Sequence, residues 1–283
     1  MSPLRKSLRD LLRHRSGMAG ILIVSFFIFL AIFADVLSPA DPYLQNTDIK
    51  FLPPIWQEGG TWPHIFGTDI LGRDVFSRLL RGARLSLVIG FISVTVGAVI
   101  GTPLGMISGY FGGWTDRIVM RFVDLMLAFP SVLLAVSIVA ILGPSLENAM
   151  IAIGLVAVPQ YARVSRASVL AEKEKEYITA DLAMGRGRFK ILAKAILPNI
   201  LSPLMIIATL GFASAVLEAA GLSFIGPGAQ PPIPEWGALL FEGRAHVYNA
   251  PWLLLFPGLA ILFTVLGFNL LGDALRDVFD PRR

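Results

Sequence analysis

The chain has 283 residues, of which 55% are hydrophobic and only 16% charged. Ordinary globular domains carry about 25% charged residues, so this balance excludes an ordinary water-soluble fold and points to a membrane protein. The net charge is +4 and cysteine is absent, which excludes disulfides and thiolate chemistry.

Residues 1–16 form a basic tail, and an apolar run from Ser16 to Ala34, 19 residues, follows. That run is too long for a typical secretory signal core, so it predicts an uncleaved first transmembrane helix over 17–38. Residues 39–84 form a long external loop rich in Pro, Gly, Asp and Trp. Four further uncharged runs are long enough to cross a bilayer, which takes roughly 20 apolar residues as helix: Leu85 to Thr115, Leu125 to Leu146, Ala195 to Leu217 and Val247 to Gly272. A fifth, Asn148 to Ala162, has only 15 residues, and it qualifies because Arg163 and Arg166 can snorkel at its end. The expected spans are therefore 17–38, 85–109, 118–142, 146–166, 196–218 and 250–272, with a tail at 274–283. Pro103 and Pro130 predict local kinks.

Six spans with a cytoplasmic N-terminus put 18 of the 24 Lys and Arg residues inside. This is the positive-inside bias, and it accounts for the basic balance without nucleic acid. Arg73, Arg78, Arg81 and Arg84 are the main exceptions, on the outer side just before span two.

Span two carries Gly97, Gly101, Gly105 and Gly109. A glycine every fourth residue forms a smooth, slowly drifting stripe that lets helices approach closely in lipid. Packing is the expected role; a substrate-lining groove is the alternative. Span three carries Asp124, with Arg121 one turn away as the expected ion-pair partner. Glu218 lies near the end of span five and is expected at its outer rim. Charges inside membrane spans are candidates for function, so Asp124 and Glu218 mark a possible translocation path.

Between spans four and five, residues 172–198 form the one long charged stretch. Its spacing predicts two short helices joined by a turn at Gly185 to Gly187, the second ended by Pro198. Phe189, Leu192, Ala193, Ile196 and Leu197 fall on one helical face. Tyr177, Ala180 and Met184 make a thinner apolar stripe on the first. Such a hairpin suits insertion into another protein's groove, although an ordinary solvated hairpin has the same composition.

No motif here is catalytic. The chain has no phosphate-binding Gly-x-x-x-x-Gly-Lys-Ser/Thr loop, no metal-ligand spacing around His14, His64 and His246, and no Gly-x-Ser-x-Gly serine. Metal and cofactor binding by this chain are not expected.

The 172–198 segment resembles the coupling loop of ATP-binding-cassette importer permeases, with Thr179, Ala180, Asp181, Gly185, Ala195, Leu197 and Pro198 at the matching positions. Thr179 stands where that family has Glu, and Asp181 where it has its second Ala. Gly67-Thr68-Asp69-x-x-Gly72-Arg73-Asp74 is similar to the signature of the C-type permeases of dipeptide, oligopeptide and nickel importers, the dipeptide branch above all. The likeness continues through Asp116 to Pro130, Gly226 to Gly237 and Phe268 to Pro281.

The resemblance implies an all-α, polytopic inner-membrane protein with six transmembrane helices. Residues 84–273 would be the type I transmembrane domain, with both termini cytoplasmic. It implies a B-type permease partner, two ATPase subunits that hold ATP and Mg, a periplasmic binding protein and a peptide substrate. Coupling would fall to Tyr177, Thr179, Ala180, Asp181, Gly185, Gly187 and Pro198. A same-fold permease for nickel, glutathione or another small solute stays open. A secondary transporter is the alternative of another class, but the midplane acids and inverted repeats it calls for are not seen.

Overall fold

The computed structural model describes Leu11 and residues 14–279. The expected basic tail at Arg5, Lys6, Arg9 and Arg13, and the terminal Arg282 and Arg283, lie outside the described residues. Among the described residues there is no β-strand, only an isolated bridge between Thr68 and Asp74.

Four helices are long and apolar enough to cross a membrane: α1 (Arg15–Ile32), α2 (Val75–Phe111), α7 (Arg188–Ile225) and α9 (Trp252–Phe279). Taken together as one span, α3 (Gly113–Leu127) and α4 (Ser131–Leu142), which meet at 94°, are apolar enough for a fifth crossing. The expected single span over 118–142 is therefore sharply broken. Pro130 is extended, with φ −57° and ψ 133°; proline lacks an N–H and disfavours helical geometry at Phe129 before it, so the first helix cannot run on into the second.

The remaining expected span, α5 (Leu146–Glu172), is not among the helices apolar enough to cross, because Gln160, Arg163 and Arg166 interrupt it. It lies among α2, α4 and α7, so neighbouring helices shield much of it from lipid. Among the shorter helices are α6 (Glu176–Ala183) inside the charged stretch and α8 (Trp236–Gly243) before the last span.

Helix α2 begins ten residues before the expected span and runs unbroken through Pro103. Asp74 caps it, its Oδ2 accepting from Ser77 N–H at 2.7 Å, which satisfies one of the orphan donors of the first turn. The stripe glycines of α2 face α5. An ideal Cβ at Gly101 would lie 2.5 Å from the Val158 oxygen, and one at Gly105 2.1 Å from the Ala162 oxygen. Gly97 abuts Ala157 and Tyr161, and Gly109 abuts Arg166 and Val169. The contacts climb in the same direction on both helices, so α2 and α5 run parallel with their backbones nearly touching. Opposite them, α1 lies antiparallel to α9, with Gly20 against Gly267 and Leu271. Phe212 of α7 stacks on Phe268 of α9 at 3.9 Å.

The segment before α2, expected to be external, folds onto the start of that helix. Arg73 Nε donates to Asp69 Oδ2 at 2.6 Å, and its Nη2 donates to Glu242 Oε2 at 2.7 Å. Arg78 Nη2 reaches the same Glu242 oxygen at 3.0 Å. Both guanidiniums are almost fully buried. Gly72 turns the chain at φ +71°, where a Cβ would lie 1.7 Å from the Asn46 oxygen. Arg81 and Arg84 pair with Asp35 at 2.6 and 2.8 Å. The four arginines that run against the positive-inside bias are thus all paired with carboxylates, so they place little free positive charge on that side.

Candidate coupling hairpin and inner cavity

The charged stretch forms the hairpin its spacing predicts, with one change at its second arm. Helix α6 ends at Ala183, and Gly185 turns the chain at φ +75°. A side chain resists that backbone conformation and glycine does not. The second arm starts at Arg188 and continues straight into span five. Pro198 was expected to end a helix, yet it sits in the first turn of the α-helical part, Leu197–Ile225. A wide π-helical turn at Leu192–Ile196 precedes it. The extra residue absorbs the hydrogen bond that proline cannot make, and Asn199 Nδ2 donates to the Ala195 oxygen at 2.7 Å.

That wide turn also rotates the expected apolar face. Ile191, Leu192, Ala195 and Ile196 are buried, whereas Phe189 is 73% exposed and Ala193 points outward. The buried set joins Ile178 of α6, Val169 of α5 and Met106 of α2 in one cluster. The hairpin is therefore seated on the ends of the two parallel helices. Lys173 Nζ adds a bond to the Gly109 oxygen of α2 at 2.9 Å.

Within the hairpin, Tyr177, Thr179 and Ala180 are exposed, as are Leu182 and Met184, the latter by 75%. Gly185, Gly187 and Pro198 are exposed as well. Asp181 is largely buried and turned inward: Arg186 Nη1 donates to its Oδ2 at 2.6 Å, and Arg186 N–H bonds its carbonyl. This ion pair closes the glycine turn. The Tyr177 hydroxyl donates to Glu172 and accepts from Asn199 Nδ2. Desolvation first, and then the bond to Glu172, push its pKa up to about 12, so it stays a neutral donor. Sequence reasoning missed Glu172, Arg186 and Asn199 as the braces of this hairpin. The five-residue separation of Asp181 and Arg186 across a Gly turn was the available signal.

The two acids expected along a path lie in two hollows that share Arg163. One is a cavity of about 430 Å³ among α2, α5 and α7, lined by Ser93, Gln160, Tyr161, Arg163, Ser214 and Glu218 with apolar neighbours. Glu218 is half-buried on its wall, about 10 Å before the end of α7 at 1.5 Å per residue, because the helix runs on past the expected span. The other is a cleft of about 670 Å³ lined by Asp116, Arg117, Arg121, Asp124, Arg163 and Arg166. Here Asp124 pairs with Arg163 of α5 at 2.7 Å, not with Arg121 as its local spacing suggested. It is half-exposed because α3 turns away from the membrane-crossing direction of α4. Arg166 holds Asp116 in a fork at 2.5 and 2.6 Å. Among the described residues no group of His and acidic side chains could hold a metal.

Comparison with known proteins agrees with this architecture. Residues 101–283 match the family described as the binding-protein-dependent transport system inner membrane component. Residues 2–54 match the N-terminal transmembrane domain of oligopeptide transport permease C. The chain is 48% identical over 282 residues to the dipeptide transport system permease protein DppC of Escherichia coli, covering 100% of this chain and 94% of that protein. It is 45% identical to the di/tripeptide permease DppC of Pseudomonas aeruginosa, covering 99% and 93%. It is 43% identical to the glutathione permease GsiD of Pectobacterium atrosepticum, covering 99% and 92%. Among solved structures, a chain of the inward-facing MetNI methionine transporter superposes with a TM-score of 0.59 at 26% identity, covering 71% of this chain and 96% of that one.

Proposed function

This chain belongs to the binding-protein-dependent inner-membrane permeases of ATP-binding-cassette importers, and from that membership we propose that it carries dipeptides or short oligopeptides across the membrane. It works as one half of a channel, beside a B-type permease, with two ATPase subunits on the cytoplasmic side and a binding protein on the outer side. Both termini and the 172–198 hairpin face the cytoplasm, and residues 84–273 form the transmembrane domain.

The observation that carries this reading is the hairpin itself. Its exposed apolar side chains, Leu182, Met184 and Phe189, are what a partner protein would cover. Its buried side is packed onto α2 and α5. A force applied at Tyr177 to Gly187 reaches the spans directly, while ATP chemistry stays on the partner subunits that supply a phosphate loop. The identities of 44–48% with dipeptide permeases support the peptide substrate. The glutathione permease at 43% supports a second reading, a γ-linked tripeptide.

The test is uptake by proteoliposomes holding the whole complex. ATP-dependent accumulation of a labelled dipeptide, competed weakly by glutathione, is expected; accumulation of glutathione alone would favour the second reading. Cysteines introduced into this cysteine-free chain test the orientation. One at Glu58 should react from outside, and one at Gly187 only after permeabilisation. Reaction at Gly187 in intact cells would invert the topology.

A further inference from the structure

The cavity among α2, α5 and α7 holds a carboxylate without a countercharge. Among the described residues no Lys, Arg or His lies within ion-pair distance of Glu218; the one guanidinium on the cavity wall, Arg163, is engaged by Asp124. A carboxylate kept at membrane depth without a cation is costly, and such residues mark the paths of substrates or ions.

A second observation points into the same space. The Tyr161 hydroxyl is buried, with the residue 1% exposed, and has no hydrogen-bond partner. Gly211 stands opposite, where an ideal Cβ would be 3.3 Å from that hydroxyl, so a side chain there would press on it. Buried polar groups are ordinarily satisfied. On one cavity wall, an unsatisfied hydroxyl and a carboxylate with the neutral Ser131 hydroxyl beside it, but no cation, are the two halves of a site for a cationic donor. Gln160, Ser93 and Ser214 supply further acceptors around it. At about 430 Å³ the cavity falls within the ~300–1,000 Å³ range of small-molecule sites.

We infer that this cavity is a transit site for the α-ammonium group of the substrate, with Glu218 as its countercharge and the Tyr161 hydroxyl as a neutral acceptor. The inference rests on the peptide reading above and names what that reading leaves open: which groups hold the two charges of a zwitterion between release and exit. The carboxylate end would face the arginine-lined cleft, since Arg163 borders both hollows and Arg117 and Arg121 lie beyond it. A peptide would then pass with its two ends matched by groups of opposite sign.

Two measurements test this. In the first, Ser214→Cys is introduced into the assembled complex, and its labelling is followed on this chain by mass. A cationic thiosulfonate should react faster than an anionic one. Adding Glu218→Gln should reduce that preference by about tenfold, and a dipeptide should slow the reaction only while Glu218 is present. In the second, Glu218→Gln should lower dipeptide uptake about tenfold or more while binding-protein-stimulated ATPase stays within about twofold of wild type; Glu218→Asp should recover part of the uptake. Equal cation preference with and without the carboxylate, together with unchanged uptake in Glu218→Gln, would overturn the inference. If the wild-type complex imports no dipeptide at all, the peptide reading fails instead, and the labelling comparison still decides whether Glu218 attracts cations.

Discussion

The closest backbone approach among the stripe glycines is at Gly105, so Gly105→Ala is the sharpest probe of how α2 and α5 are joined. An added Cβ would sit 2.1 Å from the Ala162 oxygen and 2.7 Å from the Ser165 Cβ, where ordinary contacts begin near 3.4 Å. The helices must part by roughly 1 Å, because the opposing atom is backbone and cannot rotate away. Overpacking of this kind costs about 1–3 kcal/mol. A gap of that size also forfeits a quarter to a half of the dispersion at neighbouring contacts. Alanine returns at most about 1 kcal/mol of helix propensity. A net loss of about 2 kcal/mol corresponds to a fall of roughly 4–8 °C in melting temperature, followed by tryptophan fluorescence of the detergent-solubilised complex. Gly97→Ala meets only side chains, at 3.0 Å and beyond, so propensity should nearly cancel the strain and the shift should stay within about 2 °C. Gly258→Ala has no neighbour within 4 Å and should be neutral or stabilising. Equal shifts at Gly105 and Gly97 would refute the argument that backbone contact, rather than the stripe as such, sets the requirement for glycine.

Other outcomes follow from the hairpin and the outer ion cluster. Gly185→Val has open space around its Cβ, so its cost is backbone strain alone, about 1–3 kcal/mol; uptake should be lost with insertion intact, and Gly185→Asn, which tolerates positive φ, should retain most of it. Asp181→Arg removes the clamp to Arg186 and should abolish uptake, whereas the charge-swapped pair Asp181→Arg with Arg186→Asp should recover it; no recovery in the swapped pair would show that Asp181 acts on the partner and not on its own turn. Thr179→Ala, on an exposed position, should change uptake by less than about twofold. Glu242→Ala leaves Arg73 and Arg78 buried with Asp69 alone and should destabilise the complex by about 3–5 kcal/mol, read as a lower melting temperature.

What could be read from the sequence is what depends on local spacing. The glycines at four-residue intervals in α2 announce a close helix contact, and Gly185 announces the turn between two short helices. Phe189 was placed on the wrong face because a π-helical turn adds a residue per wrap, and no local pattern distinguishes it from an α-helix that stops at Pro198. Asp124 was matched to Arg121 because those residues are neighbours on one helix. Arg163 arrives from another helix, and only the assembled bundle brings it within reach. The same holds for Arg73 and Arg78, whose partner Glu242 lies more than 160 residues away. Glu218 was noticed as a charge in a span, but the cavity that gives it meaning exists only between helices.

At 37 residues, α2 is about 55 Å long, far more than the ~30 Å hydrocarbon layer. Its N-terminal end is bolted down by Asp69, Arg73, Arg78 and Glu242, and its C-terminal end by Lys173 at the root of the hairpin. With α5 laid alongside, it behaves as a push-rod, helical from end to end even through Pro103. Pressure on the outer ion cluster and pressure on the hairpin are then two ways of loading the same beam. In the importer we propose, an occupied docking face and an ATP-driven stroke would register as a single mechanical state.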